Sequence, residues 1–162
     1  MVRDGSLEAV DWARFEGPPW YRPDEVPVAL RALAGAVSPE AGRAAYDAVL
    51  FAIGNNHAGR LYPAAAAAVP FVVEVATTGH GYSRYAALDI LIDVLSAFEA
   101  EDGFGALPNG RPLMHAVAEP IVDERGRFAE ALTSPDGELC RRATELLEVI
   151  DGWERPGSAV EA

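Results

Sequence analysis

The sequence contains no lysine, and all 13 of its basic residues are arginines, against 25 aspartates and glutamates. The resulting net charge of −12 opposes binding to nucleic acid, because that affinity depends on cationic side chains that displace the counterions of the phosphates. It opposes binding to an anionic membrane for the same reason. A basic protein would instead be attracted, and its encounter with this chain accelerated. The charge therefore favours a basic protein partner, although a need for solubility would also account for it.

Cysteine is almost absent, since Cys140 is the only one among 162 residues. A single thiol cannot form a disulfide within the chain, which is typical of proteins from a reducing compartment. The first residues contain no apolar segment of the kind found in secretion signals. The longest apolar run, Tyr62–Val73, is shorter than the ~20 residues that a membrane-spanning helix needs. These features predict a cytoplasmic protein that does not enter membranes, with Cys140 as a small buried side chain.

Signatures of catalysis and of metal binding are also missing from the sequence. The three histidines are His57, His80 and His115, and only His115 has a carboxylate, Glu119, one helical turn away. A metal site needs more ligands at such a spacing. Neither a phosphate-binding loop that ends in lysine nor a Gly-x-Ser-x-Gly motif occurs. The sequence thus predicts no catalytic residue, no metal and no cofactor.

Helical periodicity, in contrast, runs through most of the chain, and a single domain is expected over residues 1–155 with a flexible tail at 156–162. Ser38-Pro39-Glu40 is typical of a helix start, with a capping serine before a proline in the first turn. Glycine and proline make Glu101–Pro112 a long flexible connection. The pattern predicts no strand and seven helices, at about Leu7–Phe15, Asp24–Ala36, Pro39–Ile53, Tyr62–Ala76, Ser83–Glu99, Leu113–Leu132 and Gly137–Trp153.

An internal repeat indicates how these helices are arranged. Val26-Pro27 returns 43 residues later as Val69-Pro70, and a weaker copy at Glu119-Pro120 follows after a further 50 residues. The unit of helix, turn and helix has the ~40–47 residue length of HEAT and armadillo repeats. One such pair of helices cannot bury its apolar face, so successive pairs stack and share a core. We therefore predict an all-α protein, a right-handed α–α superhelix (a HEAT-like solenoid) of about three helical hairpins plus an N-terminal capping helix. An irregular helical bundle is the alternative.

Three segments carry a resemblance to a known family: Asp24–Leu30, His57–Ala64 and Ala68–Val72. In these segments the chain resembles small bacterial HEAT-like repeat proteins. That family usually has His-Gln-Gly-Thr-x-Tyr in the middle segment, where this chain has Ala58 and Arg60 in place of the glutamine and threonine. The resemblance implies protein binding as the general role, and some small HEAT-like bacterial proteins are immunity partners of secreted toxins.

Two groups of residues are candidates for contact with a partner. The first group consists of carboxylates on polar helix faces, which are also typical of a solvated surface. The second consists of aromatic residues near the N-terminus, which would either cover the end of the repeat array or dock a partner. The candidate protein-binding residues are Asp89, Asp93, Glu145, Glu148, Trp20 and Tyr21.

Together these observations predict a non-catalytic protein-binding module with an acidic surface, in the form of an immunity or adaptor protein for a basic partner. Two alternatives remain open. One is a helical-repeat enzyme such as a nucleic-acid glycosylase, which the net charge disfavours because such enzymes need a basic concave face with aromatic residues beside a carboxylate. The other is a ligand-binding protein with a site at the Glu101–Pro112 connection, since long loops are often functional.

Overall fold

The computed structural model describes residues 4–153, so the predicted tail lies outside the described residues. Within this range the chain is mostly helical, as the periodicity predicted, with three short strands and with single 3-10 turns at Trp12–Arg14 and Ala131–Thr133. The helices are α1 (Asp4–Glu8), α2 (Glu25–Ala34), α3 (Pro39–Ile53), α4 (Ala64–Thr78), α5 (Gly81–Ser96), α6 (Leu113–Asp123), α7 (Arg125–Glu130) and α8 (Gly137–Gly152), and the strands are β1 (Gly54–Asn55), β2 (Arg60–Leu61) and β3 (Glu99–Ala100).

The longer helices pack in two layers. Consecutive helices form pairs, with α2 against α3, α4 against α5, and α7 against α8. Between pairs, α4 contacts both α2 and α6, whereas α5 contacts both α3 and α8. One layer therefore consists of α2, α4 and α6, and the other of α3, α5 and α8.

The core lies between these layers and is centred on α4 and α5. Helix α4 is apolar on nearly all sides, and such a helix has to be covered from several directions. Helices α2, α5 and α6 cover it. Each leucine or isoleucine that is fully buried here stabilises the fold by about 1.5–3 kcal/mol. The leucines and isoleucines without solvent contact are Leu33, Leu50, Ile53, Leu61, Ile90, Leu91, Leu113, Ile121 and Leu146.

The predicted start of α3 is confirmed in detail. The Ser38 hydroxyl accepts a hydrogen bond from the backbone N–H of Ala41 at 3.1 Å, and Pro39 is the first helical residue. Asp136 caps α8 in the same way, because its carboxylate accepts from the N–H groups of Glu138 at 3.0 Å and Leu139 at 3.2 Å. Both caps satisfy donors that have no partner within the helix.

The prediction of no strand was wrong, because a small sheet links the first two helix pairs. β1 and β2 form an antiparallel hairpin, in which Gly54 is paired with Leu61. β2 then pairs in parallel with β3, where Leu61 is opposite Ala100. Glycine is needed at Gly59, whose φ is +65° and whose missing Cβ would lie 2.8 Å from a backbone oxygen. Since β3 comes from a distant part of the chain, local periodicity did not indicate the sheet.

The predicted helix Leu7–Phe15 was also wrong. Helix α1 ends at Glu8, and a 3-10 turn follows at Trp12–Arg14. The Trp12 indole N–H donates to the carbonyl of Leu7 at 3.2 Å, and its ring packs against Phe71 of α4 with 6.0 Å between centroids. Burial of this large ring against α4 outweighs the helical preference of the segment.

The predicted sixth helix, Leu113–Leu132, is divided into α6 and α7 at Glu124. Pro120 removes a backbone donor shortly before the break. The N–H of Glu124 bonds to the carbonyl of Ile121 at 3.2 Å, so the last turn of α6 is tightened before α7 begins at Arg125.

The repeated prolines all lie in the α2, α4 and α6 layer, at different depths in their helices. Pro27 is in the first turn of α2, whereas Pro70 and Pro120 lie inside α4 and α6. A proline in the first turn displaces no intrahelical hydrogen bond, but an internal one removes the donor to the carbonyl four residues earlier.

Candidate binding groove

A groove with a volume of about 750 Å³ crosses the layer formed by α3, α5 and α8. This volume lies within the range of natural ligand sites, about 300–1,000 Å³. We call it the acidic groove, and it is lined by Pro39, Glu40, Gly42, Arg43, Tyr46, Asp47, Tyr82, Tyr85, Ala86, Asp89, Ile92, Asp93, Glu138, Arg142 and Glu145.

Arg142 of α8 bridges the groove to α5. Its side chain is only 15% exposed, and its Nε donates to Asp89 Oδ1 at 3.0 Å. The guanidinium carbon lies 4.7 Å from the ring centroid of Tyr85, in a cation–π contact. A terminal nitrogen donates to the carboxylate of Glu138, one turn earlier in α8. The Tyr85 hydroxyl in turn donates to Asp136, so the cap of α8 and the wall of the groove are linked.

The opposite wall is held by a contact between α3 and α5. The Tyr46 hydroxyl of α3 donates to Asp93 Oδ2 of α5. Gly42 allows the two helices to approach closely, because a Cβ there would lie only 3.3 Å from the backbone oxygen of Tyr82. A short residue and one polar bridge therefore set the width of the groove on this side.

Negative charge dominates the groove. It is lined by two cationic residues, Arg43 and Arg142, and by six acidic ones, Glu40, Asp47, Asp89, Asp93, Glu138 and Glu145. Three tyrosines separate these charges. The surface therefore combines carboxylates with aromatic rings, which is the chemistry that holds cationic side chains.

The pKa values of Asp89, Tyr46 and Tyr85 are all raised, by burial, by hydrogen bonds and by neighbouring charges. Burial raises the pKa of Asp89 above its ordinary value, and Arg142 opposes this rise only in part. Burial also raises the pKa of Tyr46, and its hydrogen bond to Asp93 and the charges of Asp93, Asp47 and Asp89 add to the effect. The hydrogen bond to Asp136, followed by burial, raises the pKa of Tyr85 to about 12. In each of these three groups the surroundings favour the protonated form.

Three of the four predicted carboxylates line the groove. Asp89 and Asp93 are half-buried on α5, and Glu145 lies exposed on α8. Glu148 is exposed on α8 but does not line the groove. The two aspartates are therefore placed in a concave surface rather than on an open helix face.

The predicted aromatic residues lie outside the groove. Trp20 stacks on Phe51 with 5.2 Å between ring centroids, and its indole N–H donates to the carbonyl of Phe51 at 2.9 Å. Tyr21 is half-buried, and its hydroxyl donates to the carbonyl of Trp12 at 2.7 Å. Trp20 is still 36% exposed and so is accessible to a partner. Tyr21, in contrast, stabilises the N-terminal segment through its hydrogen bond to Trp12.

Sequence reasoning missed the tyrosines and the arginine of the groove. Tyr82, Tyr85 and Asp89 follow one another at helical spacing on α5, a pattern that could have indicated one functional face. No local signal would have indicated Arg142, because its partner Asp89 lies 53 residues earlier on another helix.

A second cavity, of about 400 Å³, lies between α4 and α6. Both internal prolines, Pro70 and Pro120, line it, together with an ion pair between Arg111 and Glu119. Leu107 and Arg111 reach it from the Glu101–Pro112 connection, whose turn is held by a hydrogen bond of 2.8 Å from the Leu107 N–H to the Arg111 carbonyl. This cavity is smaller and contains fewer charged groups than the acidic groove.

Two kinds of feature are not found among residues 4–153. No group of three or more histidine, cysteine, aspartate or glutamate side chains is arranged to hold a metal ion. None of the helices in this part of the chain combines the length and the apolar character needed to cross a membrane. His57 lies exposed in the turn between β1 and β2, away from the acidic groove.

No protein family, curated protein or solved structure matches this chain. The resemblance to small HEAT-like repeat proteins therefore stays a prediction.

Proposed function

We propose that this chain is a non-catalytic protein-binding module of the HEAT-like solenoid type, whose acidic groove binds a basic segment of a partner protein. Two layers of helices, with each layer built from successive helix pairs, support the solenoid. In such an array one layer offers a continuous surface to a partner, and the groove crosses the α3, α5 and α8 layer. An immunity or adaptor role for a basic partner is the specific form of this proposal.

The charge imbalance of the groove is the observation that carries the proposal. Six acidic residues and two arginines line one concave surface, and the chain as a whole has a net charge of −12. Complementary charge accelerates encounter and suppresses unsuitable partners, whereas aromatic rings supply contact area at small entropic cost. In the groove the carboxylates provide the complementary charge, and the tyrosines provide the aromatic contact area.

A test compares two double variants that change the net charge equally. Asp47→Asn/Asp93→Asn removes two charges inside the groove, and the amide oxygen introduced in place of the Asp93 carboxylate still accepts the Tyr46 hydrogen bond. Glu130→Gln/Glu148→Gln removes two exposed charges that lie outside it. Binding of a fluorescent arginine- and lysine-rich peptide is measured by anisotropy at about 150 mM salt, where exposed charges act over roughly 8 Å. We expect the groove variant to weaken binding about tenfold and the control less than about twofold, since close charge pairs contribute far more than distant ones. Equal losses would show that binding is only a response to total charge.

A nucleic-acid enzyme is the second candidate, and one observation favours it. Arg142 contacts both the ring of Tyr85 and the carboxylate of Asp89, so an aromatic side chain and a carboxylate share one cation in a concave surface. Within residues 4–153 the groove carboxylates Glu40, Asp47 and Asp93 have no arginine partner, and they would repel phosphates. Duplex DNA is therefore included in the same titration, and tight binding at about 150 mM salt would favour this candidate over the protein-binding one.

A further inference from the structure

The acidic groove already holds one guanidinium, that of Arg142. The central carbon of this group lies 4.7 Å from the ring centroid of Tyr85, and its nitrogens donate to the carboxylates of Asp89 and Glu138. An aromatic ring and two carboxylates thus hold an arginine that is 15% exposed. This internal contact demonstrates the recognition chemistry of the groove on one of the chain's own residues.

A second tyrosine of α5 lines the groove beside this contact. The ring of Tyr82 meets Tyr85 edge to face at 5.8 Å and keeps 42% exposure. Gly42 of α3 lies against Tyr82. Glu40 and Asp47, on either side of Gly42 in α3, line the same groove, and within residues 4–153 neither of these two carboxylates forms an ion pair. Arg43, the remaining cation of the groove, is exposed on α3.

We infer that the groove takes an arginine side chain of its partner at Tyr82, beside the carboxylates of α3, and that it prefers arginine to lysine. This inference rests on the proposed function. The planar guanidinium stacks on an aromatic ring and donates to carboxylates in the same plane, whereas an ammonium is a compact and strongly hydrated point charge. Arg142 shows the arrangement of a guanidinium, because it stacks on the ring of Tyr85 and donates to Asp89. A partner arginine stacks in the same way on Tyr82, three residues earlier in α5, and meets the carboxylates of α3.

The test uses three peptides of one sequence that differ only at three positions, occupied by arginine, lysine or neutral citrulline. Affinities for the whole chain are measured by calorimetry at about 150 mM salt. We expect the arginine peptide to bind about fivefold more tightly than the lysine peptide, and citrulline to abolish binding. Equal affinity for arginine and lysine overturns the inference but leaves the proposed function standing. Loss of binding by all three peptides overturns the proposed function itself.

Two variants locate the preference at Tyr82. Tyr82→Leu keeps an apolar side chain but removes the ring, and Tyr82→Phe keeps the ring. We expect the arginine-to-lysine ratio to fall to about one in Tyr82→Leu and to stay near the wild-type ratio in Tyr82→Phe. Circular dichroism confirms that both variants are folded. An unchanged ratio in Tyr82→Leu shows that Tyr82 does not bind the guanidinium and overturns the assignment.

Discussion

Replacement of Arg142 by methionine tests the link between α5 and α8 that forms one wall of the groove. The substitution keeps the apolar stem and removes the guanidinium, which donates to Asp89 at 3.0 Å and stacks on Tyr85 at 4.7 Å. A hydrogen bond to a charged group is worth about 1.5–3 kcal/mol and a cation–π contact about 0.5–1 kcal/mol. Because the Asp89 side chain is 40% exposed, water recovers part of this loss. We expect a loss of about 2 kcal/mol in the free energy of unfolding, and a Tm lower by about 4–8 °C.

The adjacent arginine supplies a matched control. Arg141 is 57% exposed, and its ion pairs are to Glu138 at 3.3 Å and Glu145 at 3.8 Å on the same helix. Such surface pairs contribute less than about 0.5 kcal/mol, so Arg141→Met should be nearly neutral. Arg142→Lys keeps the positive charge but replaces the planar guanidinium with an ammonium group, and we expect it to lower the free energy of unfolding by about 1 kcal/mol. Urea unfolding followed by circular dichroism measures all three variants.

The effect of Arg142→Met should depend on pH. Burial raises the pKa of Asp89 in the folded chain, so its ionised form costs stability, and this cost disappears as the pH falls through that pKa. Without Arg142 the ionised carboxylate loses its cation, whereas protonated Asp89 needs none. The stability deficit relative to wild type should be full at neutral pH and should shrink by about pH 4. A deficit that is the same at both pH values, or equal losses in Arg141→Met, would refute this account of the wall.

Two further predictions concern backbone geometry, and each compares two substitutions by urea unfolding. Gly59→Ala places a Cβ 2.8 Å from the carbonyl oxygen of Ala97 at a φ of +65°, whereas Gly103→Ala meets open space at a φ of +85°. We expect the first to cost about 1–2 kcal/mol more than the second, and equal costs would mean that the close approach has no energetic effect. Pro70→Ala restores a donor inside α4 and should stabilise the chain by about 1 kcal/mol, whereas Pro27→Ala, in the first turn of α2, should not. Equal changes at both prolines would show that their depth in the helix is irrelevant.

Local patterns in the sequence were sufficient for most helices and for their starting points. The Ser38-Pro39 start of α3 was predicted because a capping hydroxyl and a proline act within one helical turn. The apolar run of α4 predicted a central helix, since its surface has no polar face to turn toward water. Asp89 and Asp93 were recognised as a pair because four residues bring them to one face of a helix. In each case the cause and the effect lie within a few residues of one another.

Only the tertiary structure decided the sheet, the end of the first helix and the shape of the groove. β2 pairs with β3, which comes from a distant segment of the chain. The first helix ends before Trp12, because the ring of Trp12 is buried against Phe71 of α4. Asp89 becomes part of a concave site because α8 brings Arg142 beside it from 53 residues away. Helical periodicity determines which face of a helix is apolar, but not which polar faces of separate helices meet. That depends on the packing of the whole core, and so the acidic surface was predictable while the groove within it was not.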